Sequence, residues 1–356
     1  MTQPESNTAP AGAAKVDPQQ TREVSQRKHA KPLTTCRVSP AGDYVFAGAE
    51  DLQVYRWSLS DPEAPATVLA GHDSWVRCLE LSRDGKTLFT AGWDGKLGWW
   101  NAAEATPQPV RMVQAHRGFA RWVRVSPCGQ LLATCGNDLL VNVWDVATGE
   151  QLASMAGHAR HPYAVDFHPV DNELASEDLM GQVHRWDLER SRQSGAIDVA
   201  VMTGYDNKFA ADMGGARDMR FSADGATLAC AGITKVVNAF AGVQDPLTVL
   251  IDWQGQRITH HLRQAKTDNG IAWGIREHRD GFWVGAVAKR TGKGELLFWR
   301  PDPAPADGAK PIEQQPFHAQ ELPSCARGLD LLPDQNQLAI AHADGTLRIY
   351  DLTPKS

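Results

Sequence analysis

One spacing of polar and aromatic residues recurs along most of this 356-residue chain. A Ser is followed 12 residues later by an Asp, and 6 residues after that by a Trp. The clear copies are Ser39, Asp51 and Trp57; Ser82, Asp94 and Trp100; and Ser126, Asp138 and Trp144, each with a His ten residues before its Ser, at His29, His72 and His116. A further copy, Leu332, Asp344 and Tyr350, keeps the spacing but has Leu in place of Ser and Tyr in place of Trp. A fixed internal period indicates stacked structural units that cannot bury their apolar faces alone.

Within each unit the apolar pattern is that of short strands. Residues 71–101 read GHDSWVRCLELSRDGKTLFTAGWDGKLGWWN, with alternating apolar residues at 76–81 and 87–90. The intervening turns contain Asp-Gly, which favours a tight reversal between antiparallel strands. A sheet of so few strands is only marginally stable by itself. The chain therefore predicts an all-β fold in which neighbouring sheets pack on one another.

The motifs of these units resemble the WD-repeat family of β-propellers. The resemblance is carried by the Asp-containing turns and by Gly71-His72, Gly157-His158, Trp144-Asp145 and Trp186-Asp187. It implies four-stranded blades, in each of which a His, a Ser or Thr, an Asp and a Trp form a buried hydrogen-bonded set. The two full sets in this sequence are His72, Thr90, Asp94 and Trp100, and His116, Thr134, Asp138 and Trp144. A buried indole N–H and a buried hydroxyl need partners, so we expect these residues to be structural.

The count of units predicts a single seven-bladed WD-repeat-like β-propeller over residues 21–353. The approximate blade signatures are 29–59, 66–103, 110–148, 151–189, 213–256, 257–300 and 312–353. Copy four has Met180 in place of the Asp, and copies five and six are degenerate. Residues 22–26 are expected to supply the outer strand of the last blade and so close the ring. Residues 1–20, rich in Ala, Pro, Gln and Ser, are expected to form a disordered tail.

Composition narrows the class of function. A net charge of -6 and a pI near 6.1 provide no basic field for nucleic acid. The six cysteines are far apart and lack zinc spacing, which favours reduced thiols. The N-terminus has no apolar core typical of a secretory signal, and no run approaches the length of a membrane helix. These features predict a soluble cytoplasmic protein, either a monomer or a subunit of a hetero-complex, without a membrane partner.

No motif in the sequence predicts catalysis. Thr291-Gly292-Lys293 has part of a phosphate-loop pattern, but its earlier Gly is absent and no helix follows. His158, His161 and His168 match no metal-site spacing. We therefore predict no enzyme activity, no cofactor and no metal.

Alignment of the copies brings large aromatic residues and arginines into the same columns. In the propellers that this chain resembles, those columns lie on the narrow face, around the mouth of the central channel. Arg, Trp and Tyr dominate interface hot spots, and a group of guanidinium ions attracts carboxylate, phosphate or an acidic peptide. The sequence therefore predicts a noncatalytic scaffold that docks a peptide or protein segment, acidic in character. Its predicted contact residues are Arg77, Arg121, Arg217, Arg327, Trp75, Trp93, Phe119, Tyr163 and Trp273.

Three alternatives stay open from the sequence. The arginines could pair only with neighbouring carboxylates, such as Asp166, Asp218 or Asp330. The channel mouth could serve an enzyme or a small anionic ligand, because a fold does not fix a function. The chain could instead be a structural subunit that binds through blades five and six, with residues 191–215 as the partner surface.

Overall fold

The computed structural model describes residues 15–265 and 269–355 and is a seven-bladed β-propeller. The strand that precedes blade one is β1 (Arg22–Lys28). Blade one contains β2 (Leu33–Val38), β3 (Tyr44–Ala49), β4 (Val54–Ser58) and β5 (Thr67–Leu69). Blade two contains β6 (Val76–Leu81), β7 (Thr87–Gly92), β8 (Lys96–Asn101) and β9 (Pro109–Gln114). Each of these blades is an antiparallel meander, as the alternating pattern and Asp-Gly turns predict.

Blades three and four repeat this arrangement. Blade three contains β10 (Ala120–Val125), β11 (Leu131–Gly136), β12 (Leu140–Asp145) and β13 (Gln151–Ala156). Blade four contains β14 (Pro162–Phe167), β15 (Glu173–Asp178), β16 (Gln182–Asp187) and β17 (Arg192–Asp198). The stretch 191–215, offered from the sequence as one partner surface, is thus divided, because its first part, β17, completes blade four. The remainder forms a two-stranded hairpin of β18 (Thr203–Asp206) and β19 (Ala211–Gly214).

Blade five is the irregular one. It contains β20 (Asp218–Phe221), β21 (Thr227–Asn238), β22 (Val243–Asp252) and β23 (Arg257–Leu262). Its two middle strands extend into a long hairpin, so the stretch that departs from the repeat pattern continues the sheet. The chain then forms three strands of blade six, β24 (Gly270–His278), β25 (Phe282–Lys289) and β26 (Gly294–Trp299). It next returns to blade five, where β27 (Ile312–Gln314) adds a parallel fifth strand beside β23.

The ring closes by pairing the two ends of the described chain. After β28 (His318–Leu322) completes blade six, blade seven is built from β29 (Ala326–Leu331), β30 (Gln337–His342) and β31 (Thr346–Asp351). Its outer strand is β1, which runs antiparallel to β31 from Arg22 opposite Asp351 to Lys28 opposite Thr346. The predicted closure by an N-terminal strand is therefore confirmed, and it leaves blade seven with the same four strands as its neighbours.

The hydrophobic core lies between the blades. One apolar cluster continues from blade two to blade five, through side chains such as Phe89, Trp122, Leu174 and Val249. The seven inner strands β2, β6, β10, β14, β20, β24 and β29 each contact the next, and β29 contacts β2. The ring of inner strands therefore lines a central channel, and the first residues of those strands lie at one of its mouths.

Order begins before the predicted start of the propeller. Residues 1–14 of the predicted disordered tail lie outside the described residues. Pro18–Gln20 form a one-turn 3₁₀ helix, like Ala200–Met202 and Ala239–Ala241 elsewhere in the described chain. Val16 is buried in the core of blades six and seven, and the backbone N–H of Asp17 donates to the Leu352 carbonyl at 2.7 Å. Burial of an apolar side chain thus corrects the prediction of disorder for residues 15–20. Within the described ranges, no helix is long and apolar enough to cross a membrane.

Candidate functional site

Two blades contain the complete hydrogen-bonded sets that the sequence predicts. In blade two, His72 Nδ1 lies 2.9 Å from Asp94 Oδ2, and its Nε2 lies 2.7 Å from the Thr90 hydroxyl. The Trp100 indole N–H donates to the same hydroxyl at 2.9 Å. A Cβ at Gly92 would lie 2.6 Å from His72 Nδ1, so the missing side chain leaves room for the imidazole. The set joins β7, β8, the turn between them and the preceding loop, and it fixes that turn at the mouth of the channel.

Blade three repeats this geometry. His116 lies 2.8 Å from both Asp138 and Thr134, and the Trp144 indole N–H donates to the Thr134 hydroxyl at 2.9 Å. Asp138 Oδ2 accepts from the Arg117 backbone N–H at 3.0 Å, so the side-chain polar atoms of the set are all engaged, which is the behaviour of a structural element rather than of a reactive one.

Blade four has a third set that sequence reasoning missed. His158 Nδ1 lies 3.1 Å from Asp178 Oδ2, and its Nε2 lies 2.6 Å from the Ser176 hydroxyl, which also accepts from Trp186. Asp178 thus supplies the carboxylate from two residues before Met180. The signal was in the sequence, because an Asp within reach of the turn can replace one at the usual position.

The nine predicted contact residues converge at one mouth of the channel, and we call them the rim cluster. Seven of them line a pocket of about 320 Å³ together with Trp122 and Ala216. The other two join the cluster through ring contacts. Trp75 stacks on Trp93 with ring centres 5.0 Å apart, and the guanidinium of Arg327 lies 5.4 Å from the ring centre of Trp273. All nine side chains are partly exposed.

A β-bulge at the start of the inner strand places Arg77, Arg121 and Arg327 of the rim cluster at the channel mouth. In six inner strands the pairing with the second strand skips one residue, and the skipped residues are Thr34, Arg77, Arg121, Tyr163, Trp273 and Arg327. In blade five the equivalent residue, Arg217, directly precedes β20 and donates its backbone N–H to the Ala231 carbonyl at 2.6 Å. A bulge re-aims the extra residue out of the regular alternation. The column found by sequence spacing is therefore a column of bulge residues.

The aromatic members form a stacked shelf on one side of the mouth. Trp93 lies nearly parallel to Phe119, at 10° and 4.8 Å between ring centres, and Trp75 extends the stack on its other side. The remaining aromatic rings are covered by arginines. The guanidinium of Arg121 lies 4.0 Å from the centre of the Tyr163 ring, and that of Arg77 lies 4.9 Å from Trp273. Stacking of this kind holds each planar cation in one orientation.

Neutral groups anchor three of the four rim arginines. Arg121 Nε donates to Asn137 Oδ1 at 2.6 Å, and Arg217 Nη1 donates to the carbonyls of Gly214 and Gly215 at 2.8 and 2.9 Å. Arg77 makes longer contacts of 3.3 and 3.4 Å with the carbonyls of Thr34 and Arg217. Among the described residues, no Asp or Glu lies within 4.0 Å of any of these guanidinium groups or that of Arg327. The rim cluster is therefore a group of positive charges held in place without a carboxylate partner.

The arginine charges of the rim cluster oppose one another. Burial, together with the charges of Arg217 and Arg327, lowers the pKa of Arg77 to about 10. Burial and the charge of Arg121 likewise lower the pKa of Arg217. Both shifts mean that the surroundings disfavour the positive charge. An anion at the mouth would relieve this repulsion.

A second set of charged residues fills the channel beneath the rim cluster, and we call it the channel network. It contains four arginines and four carboxylates: Arg37, Arg124, Arg220, Arg276, Glu80, Asp166, Asp218 and Asp330. Seven of these residues stand two positions before the Ser column of the repeats, three residues after the rim column.

Ion pairs in the channel network cross from blade to blade. Arg124 lies 3.2 Å from Glu80 of blade two and 3.0 Å from Asp218 of blade five. Arg276 of blade six contacts Asp218 and lies 3.0 Å from Asp330 of blade seven. Asp166, Asp218 and Asp330, which the sequence offered as partners of the rim arginines, are therefore engaged by these deeper arginines. The alternative in which the rim arginines pair only with those carboxylates does not describe this structure.

Protonation in the channel network follows these pairings. Burial opposes ionisation of Asp218, but the charges of Arg276, Arg220 and Arg124 outweigh burial and hold its pKa well below the usual range. The pKa of Glu80 and that of Asp330 are lowered in the same way. Burial raises the pKa of Asp166 despite Arg220 and Arg124. Three of the four carboxylates are thus stabilised as anions inside the ring.

The 191–215 stretch, proposed from sequence as a partner surface, places the β18–β19 hairpin beside the rim cluster. The carbonyl of Gly214, at the end of this hairpin, is one of the anchors of Arg217. Tyr205 and Phe209 on the hairpin are 51% exposed. The end of the hairpin therefore borders the mouth, and the hairpin exposes two aromatic side chains. Within the described ranges, no three His, Cys, Asp or Glu side chains form a group that could hold a metal ion.

Comparison with known proteins agrees with the repeats. Residues 20–58, 63–101 and 107–145 match the family model described as WD domain, G-beta repeat. The chain is 25% identical to Protein groucho of Drosophila melanogaster over 180 residues, which cover 49% of this chain and 24% of groucho. It is 24% identical over 257 residues to an uncharacterized WD repeat-containing protein of Schizosaccharomyces pombe, covering 66% of each. The matched region thus spans about a quarter of the first relative's length and about two thirds of the second's.

Proposed function

We propose that this chain is a WD-repeat β-propeller that acts as a noncatalytic interaction scaffold and docks an acidic peptide or protein segment on the rim cluster. The proposal includes the cytoplasmic location and the monomeric or hetero-complex state predicted from the sequence. The observation that carries it is the charge of the mouth. Four guanidinium groups are held by rings and neutral carbonyls, while Asp166, Asp218 and Asp330 serve the channel network.

The composition of the rim cluster also supports a docking role. Large aromatic side chains and arginines carry most of the binding energy at protein interfaces, where they combine large contact area with directional donors. The stack of Trp75, Trp93 and Phe119 provides a flat apolar surface beside the arginines. A segment with an acidic residue next to an apolar one would contact both parts at once.

The test is an affinity capture from native lysate with wild-type protein and an Arg77→Ala/Arg121→Ala/Arg217→Ala variant. The matched control is Arg83→Ala/Lys86→Ala/Arg190→Ala, which also removes three positive charges, but from exposed positions on turns. We expect a partner that wild type and the control capture and the rim variant loses. Loss of folding is checked by thermal denaturation of all three proteins. Equal capture by the rim variant and the control would contradict docking at the rim cluster and favour the sides of blades five and six.

A further inference from the structure

The chemistry of the pocket selects among ligands for the rim cluster, on the premise of the proposed docking function. Aromatic rings alone would suit a cation such as a methylated lysine. Here the rings are already covered by positive charge, because Arg121 and Arg217 lie against Tyr163. Arg77, Arg217 and Arg327 all lie within 6.0 Å of the ring centre of Trp273. A cationic ligand would be repelled, so the ligand group is an anion.

Donor geometry distinguishes between kinds of anion. Arg77, Arg121 and Arg217 belong to blades two, three and five, so their guanidinium groups reach the pocket from three sides. Arg121 is anchored through Nε and Arg217 through Nη1, which leaves further N–H groups of each side chain for a ligand. One planar fork satisfies a carboxylate, whereas a phosphoryl group has three terminal oxygens that accept from separate directions. Three forks around one pocket match the tetrahedral group.

Two indole groups give an independent sign of a missing acceptor. Trp93 and Trp122 line the same pocket, and the Nε1 atom of each is buried with no hydrogen-bond partner among the described residues. Buried N–H groups nearly always have an acceptor. Trp122 is 4% exposed, so its donor is held inside the structure. An oxygen-rich ligand would supply acceptors that the protein does not provide there.

The amount of charge favours a doubly charged group. Several guanidinium ions surround a pocket of about 320 Å³, and their charges add to the effect of burial in lowering the pKa of Arg77 and of Arg217. A carboxylate carries one negative charge, whereas a phosphoryl group carries about −1.5 to −2 at neutral pH. We propose that the rim cluster binds the phosphorylated side chain of a docked peptide, with one oxygen facing each of Arg77, Arg121 and Arg217.

The experiment compares small probes at pH 7.5 by titration calorimetry. The probes are N-acetyl-phosphoserine amide and N-acetyl-phosphotyrosine amide, with N-acetyl-glutamate amide, N-acetyl-O-sulfotyrosine amide and inorganic phosphate as comparators. We expect a phosphorylated probe to bind at least about tenfold more tightly than the glutamate and sulfotyrosine probes. The reason is that a phosphoryl group carries nearly two negative charges, whereas the carboxylate and the sulfate ester each carry one. The two phosphorylated probes identify which side chain the pocket fits.

Two variants locate the binding. Arg121→Lys keeps the charge but loses the planar fork, and we expect it to weaken the phosphorylated probe by about tenfold. Lys86→Ala, on an exposed turn, leaves the affinity unchanged. Equal affinity for the glutamate and phosphorylated probes would overturn the proposal. Inorganic phosphate binding as tightly as both phosphorylated probes would also overturn it, because the site would then hold a free anion rather than a side chain.

The two proposals can fail separately. If no phosphorylated probe binds, while lysate capture still depends on the rim arginines, the phosphoryl inference falls and the docking function stands. If the probes bind at the rim cluster but capture does not depend on its arginines, the site serves a small anionic ligand and the docking function falls.

Discussion

The rim cluster and the channel network both contain arginines, three positions apart on the same inner strands. Within the described part of the chain, the rim arginines have no carboxylate partner, whereas the channel arginines are paired with carboxylates. Arg121 and Arg124 both belong to β10. The first has Asn137 as its polar anchor, whereas the second contacts Glu80 and Asp218 directly. The difference teaches that an arginine in this ring cannot be assigned a role by its type or its blade. Its role depends on whether a neighbouring blade supplies a carboxylate at the same depth.

Carboxylate protonation follows the same division. The pKa of Asp218 in the channel network is held low by several arginines, whereas burial raises the pKa of Glu177, on the second strand of blade four, to about 7. The Cys230 thiol and the Ala216 backbone N–H lie close to the carboxylate of Glu177 and lower its pKa, but they offset the effect of burial only in part. The charges that face it are those of Asp178, which raises its pKa further, and of Arg217, which opposes the rise. Both carboxylates are buried, so the difference between their pKa values comes from the arginines that compensate the charge of Asp218.

The largest effect is expected from removing a charge of the channel network. Asp218→Asn keeps the shape of the side chain but leaves Arg124 and Arg276 without their shared anion. Breaking a buried pair typically costs about 3–5 kcal/mol, so we expect a loss of that size in the free energy of unfolding. The measurement is urea denaturation at pH 7, with Asp73→Asn as the control. Asp73 is an exposed partner of Lys96, and its loss should cost less than about 1 kcal/mol.

The same variant should change the acid limb of the stability profile. Because the folded pKa of Asp218 lies below its value in the unfolded chain, its contribution is complete above pH ~4 and is lost as the pH falls further. Asp218→Asn should therefore flatten the decrease in stability below pH ~4. An undiminished decrease, or a cost no larger than that of Asp73→Asn, would mean that the channel charges are solvated and the two layers are alike.

A smaller effect of opposite sign is expected at Glu177. A carboxyl whose folded pKa is raised from 4.5 to about 7 costs stability as the pH rises through that interval, and the cost is constant above it. Glu177→Gln should raise the free energy of unfolding by about 1–3 kcal/mol at pH 8 and leave it unchanged near pH 4.5. Urea denaturation at the two pH values measures this. A loss of stability at pH 8 would show that Cys230, Ala216 and Arg217 stabilise the carboxylate by more than its burial costs.

The smallest effect on stability is expected at the rim. Arg77→Met keeps the length of the side chain and removes a charge that Arg217 and Arg327 repel. Replacing an uncompensated charge by an apolar group of similar size is neutral or stabilising, so we expect a change between 0 and about +1 kcal/mol in the free energy of unfolding. The same urea measurement suffices, with Arg124→Met as the contrasting channel variant. If Arg77→Met lowered the free energy of unfolding as much as Arg124→Met, the rim cluster and the channel network would not differ in charge compensation.

Sequence spacing was enough to find the fold and to bring the four rim arginines, with Tyr163 and Trp273, into one column. The reason is that each copy of the repeat places the same position at the same point of its blade, so Arg77, Arg121 and Arg327 were found by counting alone. The β-bulge at those positions was not predictable, because it is a property of the pairing between strands and leaves no mark in the alternation of β6 or β10.

The channel network was missed for a different reason. Its column reads Arg, Glu, Arg, Asp, Arg, Arg and Asp from blade one to blade seven, so no single residue type marks it, and the ion pairs form only when the blades meet. Asp178 was missed because a two-residue shift left Met180 at the expected position. The strands of blade five could not be predicted for two reasons. Its long β21–β22 hairpin departs from the repeat pattern, and its fifth strand, β27, comes from chain that returns from blade six.

The pairing of β1 with β31 also orders events during synthesis of the protein. The strand at residues 22–28 leaves the ribosome before any other strand of the ring, yet its partner at 346–351 leaves last. Blades one to four can each form from contiguous chain as they emerge, whereas blade seven must wait for both ends. Contacts so distant in sequence slow folding because a long loop has to close first. Until then the nascent propeller is an open arc, so its lifetime in that form depends on the speed of translation over the final repeat.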